Sequence, residues 1–301
     1  MASAGLAAAA GGILAAGAGA LAYGMAEAQA FTVRRVEVPV LPAGQAPLRV
    51  LHVSDIHLMP YQRRKLAFVA ALADLEPHLV VNTGDNISSP ESIGLLARAW
   101  DDLLRVPGVF VFGSNDYSLP RFRNPLRYLV GPSGNRQAPP ASLPVGELRA
   151  MLTSHGWVDL NHRRVRLEVD GRVIEARGTD DAHLNRDDYP AVAGPADTAV
   201  DLAIAVTHAP YLRLLDAMTA DGAQLIFAGH THGGQVCVPG VGALVTNCDL
   251  DTGRVKGLSR HAAAGRSAWL HVSAGIGTSP YAPYRVACRP EATLLTLVAR
   301  A

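Results

Sequence analysis

The stretch Leu48-Arg49-Val50-Leu51-His52-Val53-Ser54-Asp55-Ile56-His57 joins a short apolar segment to a carboxylate and an imidazole. Residues 48–53 are largely apolar and few in number, which is typical of a buried strand. The spacing of two between Asp55 and His57 points both side chains to the same side of an extended chain. We therefore expect a strand that ends at Ser54-Asp55 and presents two polar groups where α/β sheets form their ligand sites.

The segments that follow alternate between helical and extended patterns. Apolar residues recur at helical spacing from Leu66 to Ala73, until Pro77 ends the pattern. Asp170-Gly171 predicts the turn of a hairpin, and a short helix is predicted near residues 147–155. Further apolar strands are predicted over residues 79–81, 109–112, 202–206, 224–228, 269–272 and 292–298. The prolines of residues 39–47 mark a connecting stretch before the first strand.

Five short polar segments follow predicted strands and carry side chains that bind metals. They are Asp55-Ile56-His57, Gly84-Asp85, Asn115-Asp116, Thr207-His208 and Gly229-His230-Thr231-His232-Gly233-Gly234. Each alone is a weak signal, because a single histidine after a strand is usually a structural group. Together they predict a metal site, and their mixture of oxygen and nitrogen ligands favours Mn²⁺, Fe²⁺ or Zn²⁺ over Ca²⁺.

The order of these segments resembles the calcineurin-like metallophosphoesterases, whose pattern is D-x-H, G-D, G-N-H-[D/E], a histidine and G-H-x-H. The similarity extends from about Leu48 to Leu297. Two segments, Gly229 to Gln235 and Gly275-Ile276-Gly277-Thr278, are similar to a subgroup of small bacterial phosphoesterases that are often membrane-associated or exported. The resemblance implies an α/β fold, a four-layer sandwich of two mixed β-sheets flanked by helices.

The resemblance also implies two divalent metal ions and a role for each ligand. Asp55, His57 and His232 would hold one ion, Asn115, His208 and His230 would hold the other, and Asp85 would bridge them. The implied reaction is hydrolysis of a phosphodiester, pyrophosphate-type or phosphomonoester bond by a metal-bridging hydroxide. The substrate would be a small phosphate ester or a lipid headgroup.

The third motif departs from the family pattern, because Gly113-Ser114-Asn115-Asp116 stands where G-N-H-[D/E] is expected. An ungapped match gives the ligand position to Ser114, whereas a shift of one residue keeps Asn115 as the ligand; we favour the shift. In either case the histidine that would protonate the leaving group is missing. Asp116, with a pKa raised by burial, and His183 are the two candidates for that acid.

Two arginines are candidate substrate ligands. Arg121 belongs to a basic, Pro/Gly-rich insertion at about residues 117–146, which also contains Arg123, Arg127 and Arg136 and no acidic residue. The insertion is either a solvated loop or a basic lip over the site. Arg285 follows the Gly275 loop, at a position where the subgroup has an arginine, and is a candidate for phosphate contact.

The composition of the 301-residue chain, 49% apolar and 18% charged, is sufficient for one large α/β core without disulfides. Its net charge of +1 argues against a nucleic-acid partner. Cys237, Cys248 and Cys288 form an odd set without a C-x-x-C pair, so we expect buried thiols and neither a disulfide framework nor a zinc ribbon.

Residues 1–26 carry no charge and are rich in Ala and Gly. We treat residues 1–30 as an anchor or signal-like segment and residues 31–301 as the catalytic domain. The stretch is long enough for a membrane anchor, and a cleaved signal or a soluble or disordered extension are the alternatives. Arg34 and Arg35 favour a cytoplasmic catalytic domain for the anchored protein, and export is the alternative. Two other functions remain open at this point. One is a non-catalytic metal-binding scaffold with a degenerate third motif, and the other is a nuclease that uses the basic insertion.

Overall fold

The computed structural model describes residues 2–122 and 142–300, and two six-stranded mixed sheets dominate them. In spatial order, the first sheet consists of β1 (Thr32–Leu41), β14 (Glu291–Ala299), β2 (Leu48–Val53), β3 (Leu79–Asn82), β4 (Gly108–Phe110) and β5 (Val158–Asp159). Strands β2 to β5 are parallel, β14 runs antiparallel to β2, and β1 pairs in parallel with β14. The parallel strands therefore place their carboxyl ends along one edge of the sheet.

The second sheet has a similar parallel centre. Its spatial order is β12 (Gly257–Ala263), β13 (Arg266–Val272), β9 (Leu225–Ala228), β8 (Leu202–Val206), β7 (Arg172–Gly178) and β6 (Arg163–Val169). Strands β7, β8, β9 and β13 are parallel, and the antiparallel strands β6 and β12 close the two edges. A small ribbon of β10 (Cys237–Val238) and β11 (Gly242–Ala243) lies outside both sheets.

Alongside the two sheets, the described residues form several α-helices. They are α1 (Ala2–Glu27), α2 (Arg63–Ala70), α3 (Ser92–Ala99), α4 (Ser114–Tyr117), α5 (Val145–Ser154) and α6 (Leu212–Ala220). Buried residues of α2, α3 and α5 pack with the first sheet, and those of α6 pack with the second. A third apolar cluster joins the inner faces of both sheets, for example Val50, Val81, Ile204 and Phe227. This is the predicted four-layer sandwich, so the fold class is confirmed.

The predicted strands and the Asp170-Gly171 hairpin occur close to their expected positions, whereas β1 was missed. The chain before Leu48 was interpreted as a proline-marked connection, but Thr32–Leu41 is a strand. Pro39 is tolerated there because β1 is an edge strand, with no second neighbour to receive a backbone hydrogen bond. Most of the basic insertion, including Arg123, Arg127 and Arg136, lies outside the described residues.

The amino-terminal segment is helical and its end contacts the domain. The carbonyl of Gly24 accepts a hydrogen bond from the Arg285 amide, and the Glu27 carboxylate accepts from the amides of Ala287 and Cys288. Among the described residues, the structure contains no helix with the length and apolar character needed to cross a membrane. Membrane association through residues 1–26 therefore stays a prediction.

Candidate metal centre

Seven side chains converge from the carboxyl ends of strands in both sheets. They are Asp55 and His57 after β2, Asp85 after β3, Asn115 in the helix after β4, His208 after β8, and His230 and His232 after β9. Each contacts at least one other member of the set. These residues are separated by up to 177 positions in the chain, so the two-sheet fold is what assembles them.

One half of the cluster has the spacing of ligands around a single ion. Atoms of Asp55, His57, Asp85 and His232 all lie within 4.8 Å of one another. His57 Nε2 is 3.2 Å from His232 Nε2 and 3.4 Å from Asp85 Oδ2, and His232 Nε2 is 3.5 Å from Asp55 Oδ1. Ligand atoms about 2.1 Å from one ion, at 90–110° to each other, would be separated by about 3.0–3.4 Å. The observed separations therefore fit a shared cation.

Asp85 connects this half to the other ligands. Its Oδ2 lies 3.5 Å from His208 Nε2, and it accepts a hydrogen bond of 2.6 Å from the Asn115 side chain. The ring of His230 lies 5.2 Å from that of His208, and the His230 backbone amide donates to Asp55 Oδ2 at 3.0 Å. The carboxylate of Asp85 thus stands between two groups of nitrogen and oxygen ligands.

Hydrogen bonds to backbone carbonyls orient three of the imidazoles. His208 Nδ1 donates to the Thr83 carbonyl at 2.6 Å, and His232 Nδ1 donates to the Gly277 carbonyl at 3.1 Å. In His230 it is Nε2 that donates, to the Asn247 carbonyl at 3.2 Å. In a neutral imidazole each of these bonds leaves the other nitrogen with a lone pair. His208 Nε2 is fully buried and has no hydrogen-bond partner among the described residues, as expected for a metal ligand.

The backbone adopts a left-handed conformation at five of the seven candidate ligands. The φ angles are 49° at Asp55, 46° at His57, 57° at Asp85, 70° at His230 and 49° at His232. Each such residue costs roughly 1–2 kcal/mol relative to the right-handed region. Strain of this kind persists where the surrounding structure enforces it, and it clusters at functional sites.

Burial and mutual charge shift the pKa values of the cluster. Burial lowers the pKa of His57 to about 4 and holds those of His230 and His232 well below the ordinary value, so these rings are neutral near pH 7. Burial also opposes protonation of His208, but the carboxylates of Asp85, Asp55 and Asp181 outweigh it and raise its pKa to about 9. The carboxylates of the cluster thus favour a nearby positive charge. A divalent cation would supply more positive charge than a protonated His208 does.

Asn115 and Asp116 face different surroundings. The amide of Asn115 lies against Asp85, and its backbone N–H donates to Asp85 Oδ1 at 2.7 Å. Asp116 is fully buried and accepts hydrogen bonds from the backbone amides of Asp85, Asn86 and Gly113. Burial and the Asp85 carboxylate raise its pKa to about 7. Among the described residues, the Ser114 hydroxyl contacts the cluster only through Asn115, whose Nδ2 donates to its Oγ at 3.4 Å.

His183 lies beside the second group of ligands. Its ring centroid is 4.5 Å from that of His230, and its Nδ1 is 3.1 Å from the Tyr211 hydroxyl. Asp181 fixes the short turn that carries it by accepting from the backbone amides of His183 and Leu184. The turn that carries His183 therefore lies next to the site.

The two predicted substrate arginines differ in environment. Arg285 is fully buried, and its guanidinium donates to the carbonyls of Ala274, Gly277 and His232 at 2.7, 2.7 and 3.2 Å. These contacts do not support the predicted phosphate contact by Arg285. Arg121 is exposed, and the ring of the neighbouring Phe122 lies 6.3 Å from that of Tyr281 in the loop after Gly277.

Sequence patterns did not indicate a second set of buried polar residues behind the ligands. The Ser54 hydroxyl donates to Asp55, Thr83 donates to Ser54 at 2.6 Å, and the two nearest ring nitrogens of His52 and His271 are 2.8 Å apart. His52 Nε2 lies 3.0 Å from the Thr83 hydroxyl, which completes a chain from Asp55 to the second sheet. The sequence signal for this set was limited to one histidine in each of two strands, His52 in β2 and His271 in β13.

Similarity to known proteins agrees with this geometry. A sequence model of the calcineurin-like phosphoesterases matches residues 48–234, more than half of the chain. YpbG of Bacillus subtilis is 28% identical over 259 residues, which cover 84% of this chain and 82% of YpbG. Phosphodiesterase YaeI of Escherichia coli is 27% identical over 264 residues, which cover 84% of this chain and 83% of YaeI.

Solved structures show weaker similarity. A 5'-nucleotidase precursor from Thermus thermophilus superposes with a TM-score of 0.46 at 14% identity, covering 83% of this chain and 55% of that structure.

Proposed function

Because the chain belongs to the calcineurin-like phosphoesterase family, which makes it a metal-dependent phosphoesterase, we propose that it hydrolyses a small phosphate ester with two divalent ions. The observation that carries this proposal is the convergence of six candidate ligand side chains around Asp85, with a buried nitrogen on His208 that has no hydrogen-bond partner in the described part of the chain. Mixed oxygen and nitrogen ligands favour Mn²⁺, Fe²⁺ or Zn²⁺. Such ions, when bound, polarise phosphoryl oxygens and lower the pKa of a bound water.

The ligands divide into two sets that share one carboxylate. Asp55, His57 and His232 would hold one ion, Asn115, His208 and His230 would hold the other, and Asp85 would contact both. The 2.6 Å contact of the Asn115 amide with Asp85 supports Asn115 as the ligand of the third motif in place of Ser114. Because the backbone and second-layer hydrogen bonds fix these side chains in advance, little reorganisation is needed when charge develops on the phosphoryl group.

A phosphodiester or pyrophosphate-type bond is the preferred substrate, and a phosphomonoester is the alternative. The similarity to phosphodiesterase YaeI supports this preference. Arg121 would contact the substrate, because it lies exposed beside Phe122, which contacts the loop that borders His232. The phosphate ester of a lipid headgroup belongs to this substrate class, and such a substrate would agree with membrane association through residues 1–26.

His183 is the better of the two candidates for the acid that protonates the leaving group. It is packed against His230 and hydrogen-bonded to Tyr211, and imidazole can donate a proton near neutral pH. Asp116 instead directs its oxygens at three backbone amides. Its proposed role is therefore to hold the third-motif loop so that Asn115 meets Asp85.

The effect of replacing His183 should depend on the leaving group. We expect His183→Ala to slow hydrolysis of an alkyl phosphodiester by about 10²–10⁴-fold, because a poor leaving group needs its proton. Hydrolysis of a p-nitrophenyl ester should change much less, since that leaving group departs as an anion. The measurement is kcat/KM for both esters, with exposed His155→Ala as the matched control. Equal losses for both esters would remove His183 as the acid.

A panel of phosphate esters tests the proposed activity. The purified full-length chain with added Mn²⁺ should hydrolyse at least one activated diester or monoester, and a chelator should abolish that hydrolysis. Bound metal without turnover of any ester would favour the scaffold alternative. Selective cleavage of oligonucleotides would favour the nuclease alternative.

A further inference from the structure

Two of the three cysteines lie together behind the His232 loop. Cys237 begins β10, and Cys288 lies in the segment before β14. The Cys237 thiol donates to the Gly233 carbonyl at 3.2 Å, and the Cys288 thiol contacts the same carbonyl at 3.4 Å. With Ala274 the two cysteines form a small buried cluster. Cys248 packs in a different cluster, against α6 and the second sheet.

The backbone holds the two cysteine segments side by side. Val236 and Val286 form a bridge between parallel chains, and the Cys237 amide donates to the Val286 carbonyl at 2.8 Å. This pairing keeps both sulfurs beside the Gly233 carbonyl, at 3.2 and 3.4 Å from its oxygen. All three thiols are reduced in this structure.

The loop next to the thiols carries a metal ligand in an unfavourable conformation. Four consecutive residues, His232, Gly233, Gly234 and Gln235, have φ between 49° and 82°. The carbonyl of His232 accepts from the Cys288 thiol at 3.3 Å and from Arg285, and a Cβ added to Gly233 would lie 2.7 Å from the Cys288 sulfur. Both thiols therefore support the loop, and any movement of the Cys288 sulfur changes its packing against Gly233.

We propose that Cys237 and Cys288 are a peroxide-sensitive pair whose disulfide weakens metal binding by His232. In the first step one thiol reduces a peroxide to water and becomes a sulfenic acid. In the second step the other thiol attacks that sulfur, forms the S–S bond and releases a second water. Two thiols thus lose two electrons and two protons to one hydrogen peroxide. The effect on metal rests on the metal site proposed above.

The disulfide would remove the support that the thiols give to the loop. A disulfide has no S–H donor, so the contacts of both sulfurs with the Gly233 carbonyl and of Cys288 with the His232 carbonyl would be lost. Loss of a group that orients a metal ligand typically lowers metal affinity by about 10–100-fold. We expect a similar decrease for the ion held by Asp55, His57 and His232.

Both sulfurs are buried, but a surface cavity lies near Cys288. This cavity of about 530 Å³ is lined by Lys256 and Ala287, among other residues. Lys256 Nζ lies 3.5 Å from the Cys288 sulfur, and Ala287 precedes Cys288 in the chain. Peroxide in this cavity would therefore lie close to the segment that carries Cys288.

The test uses the Mn²⁺-loaded full-length protein before and after treatment with hydrogen peroxide. Thiols are counted with a maleimide after denaturation, the disulfide is located by peptide mass, and metal content is measured after gel filtration. We expect the loss of two of the three thiols, a Cys237–Cys288 cross-linked peptide and a decrease of about one metal ion per chain. Dithiothreitol followed by Mn²⁺ should restore all three quantities.

Three variants make the result specific. Cys248→Ser should respond like the wild type, whereas Cys237→Ser and Cys288→Ser, whose hydroxyls can still donate to the loop carbonyls, should form no disulfide and keep their metal after peroxide. Three intact thiols after treatment, a disulfide without metal loss, or equal metal loss in Cys237→Ser would each overturn the proposal. A reduced wild type without metal would instead contradict the proposed function, and the thiol count would still decide whether the disulfide forms.

Discussion

We expect Asp85→Asn to lose bound metal and to hydrolyse phosphate esters at least about 10³-fold more slowly than the wild type. The Asp85 carboxylate lies 3.4 Å from His57 Nε2 and 3.5 Å from His208 Nε2, between the two ligand sets. An amide carries no charge to balance the cations and offers one acceptor oxygen in place of two. That oxygen can still accept from the Asn115 backbone amide, so the fold should survive.

The measurements are metal content, kcat/KM and the thermal midpoint with and without Mn²⁺. Because a metal that binds only the native state stabilises it, Mn²⁺ should raise the midpoint of the wild type and not that of Asp85→Asn. Asp101→Asn is the matched control, since the same chemical change falls on a largely exposed carboxylate paired with Arg105. Metal content and activity equal to those of this control would contradict the role given to Asp85.

Gly113→Ala should disrupt the site through a single methyl group. A Cβ at Gly113 would lie 2.3 Å from Asp85 Oδ1 and 2.5 Å from the His208 ring. Both side chains must then move, at a cost of about 1–3 kcal/mol from overpacking. A displacement of about 1 Å at a reacting centre can lower the rate by about 10²-fold. We therefore expect a lower thermal midpoint, weaker metal binding and lower kcat together.

Gly146→Ala provides the control for this substitution. Gly146 lies near the start of α5, and a Cβ there would meet nothing within 4 Å. Alanine is the better helix former, so this variant should keep or slightly raise the midpoint and leave metal content unchanged. If Gly113→Ala matched Gly146→Ala in metal content and kcat, the close packing of Gly113 against the ligands would have no functional consequence.

Much of the fold could be predicted from local patterns, because its central strands are short apolar runs between clear breaks. Leu48–Val53 and Leu202–Val206 coincide with the predicted strands. Strand β1 could not be found in this way, because its side chains are only partly buried and Pro39 is acceptable only at an edge. The pairing of β1 with β14 is a long-range property that no local pattern contains.

The sequence predicts which side chains could serve as ligands, but not the backbone conformation that holds them. Asp55 and Asp85 follow strands and belong to recognisable spacings, but the left-handed backbone at both residues has no sequence signal, since neither is a glycine. The burial of Arg285 beneath loop carbonyls likewise could not be predicted from the sequence, because an arginine near a glycine-rich loop suggests an exposed cation. The contact between Glu27 and the Cys288 amide joins distant segments and required the tertiary structure.

The central claim is that Asp85 stands between two metal ions, and the metal content of the purified chain tests it most directly. After loading with Mn²⁺ and removal of unbound ions, elemental analysis should find two ions per chain in the wild type. His208→Ala should retain at most one ion, because it removes a ligand of one set only. A wild-type chain that binds no metal, or the same metal content in wild type and His208→Ala, would contradict the account.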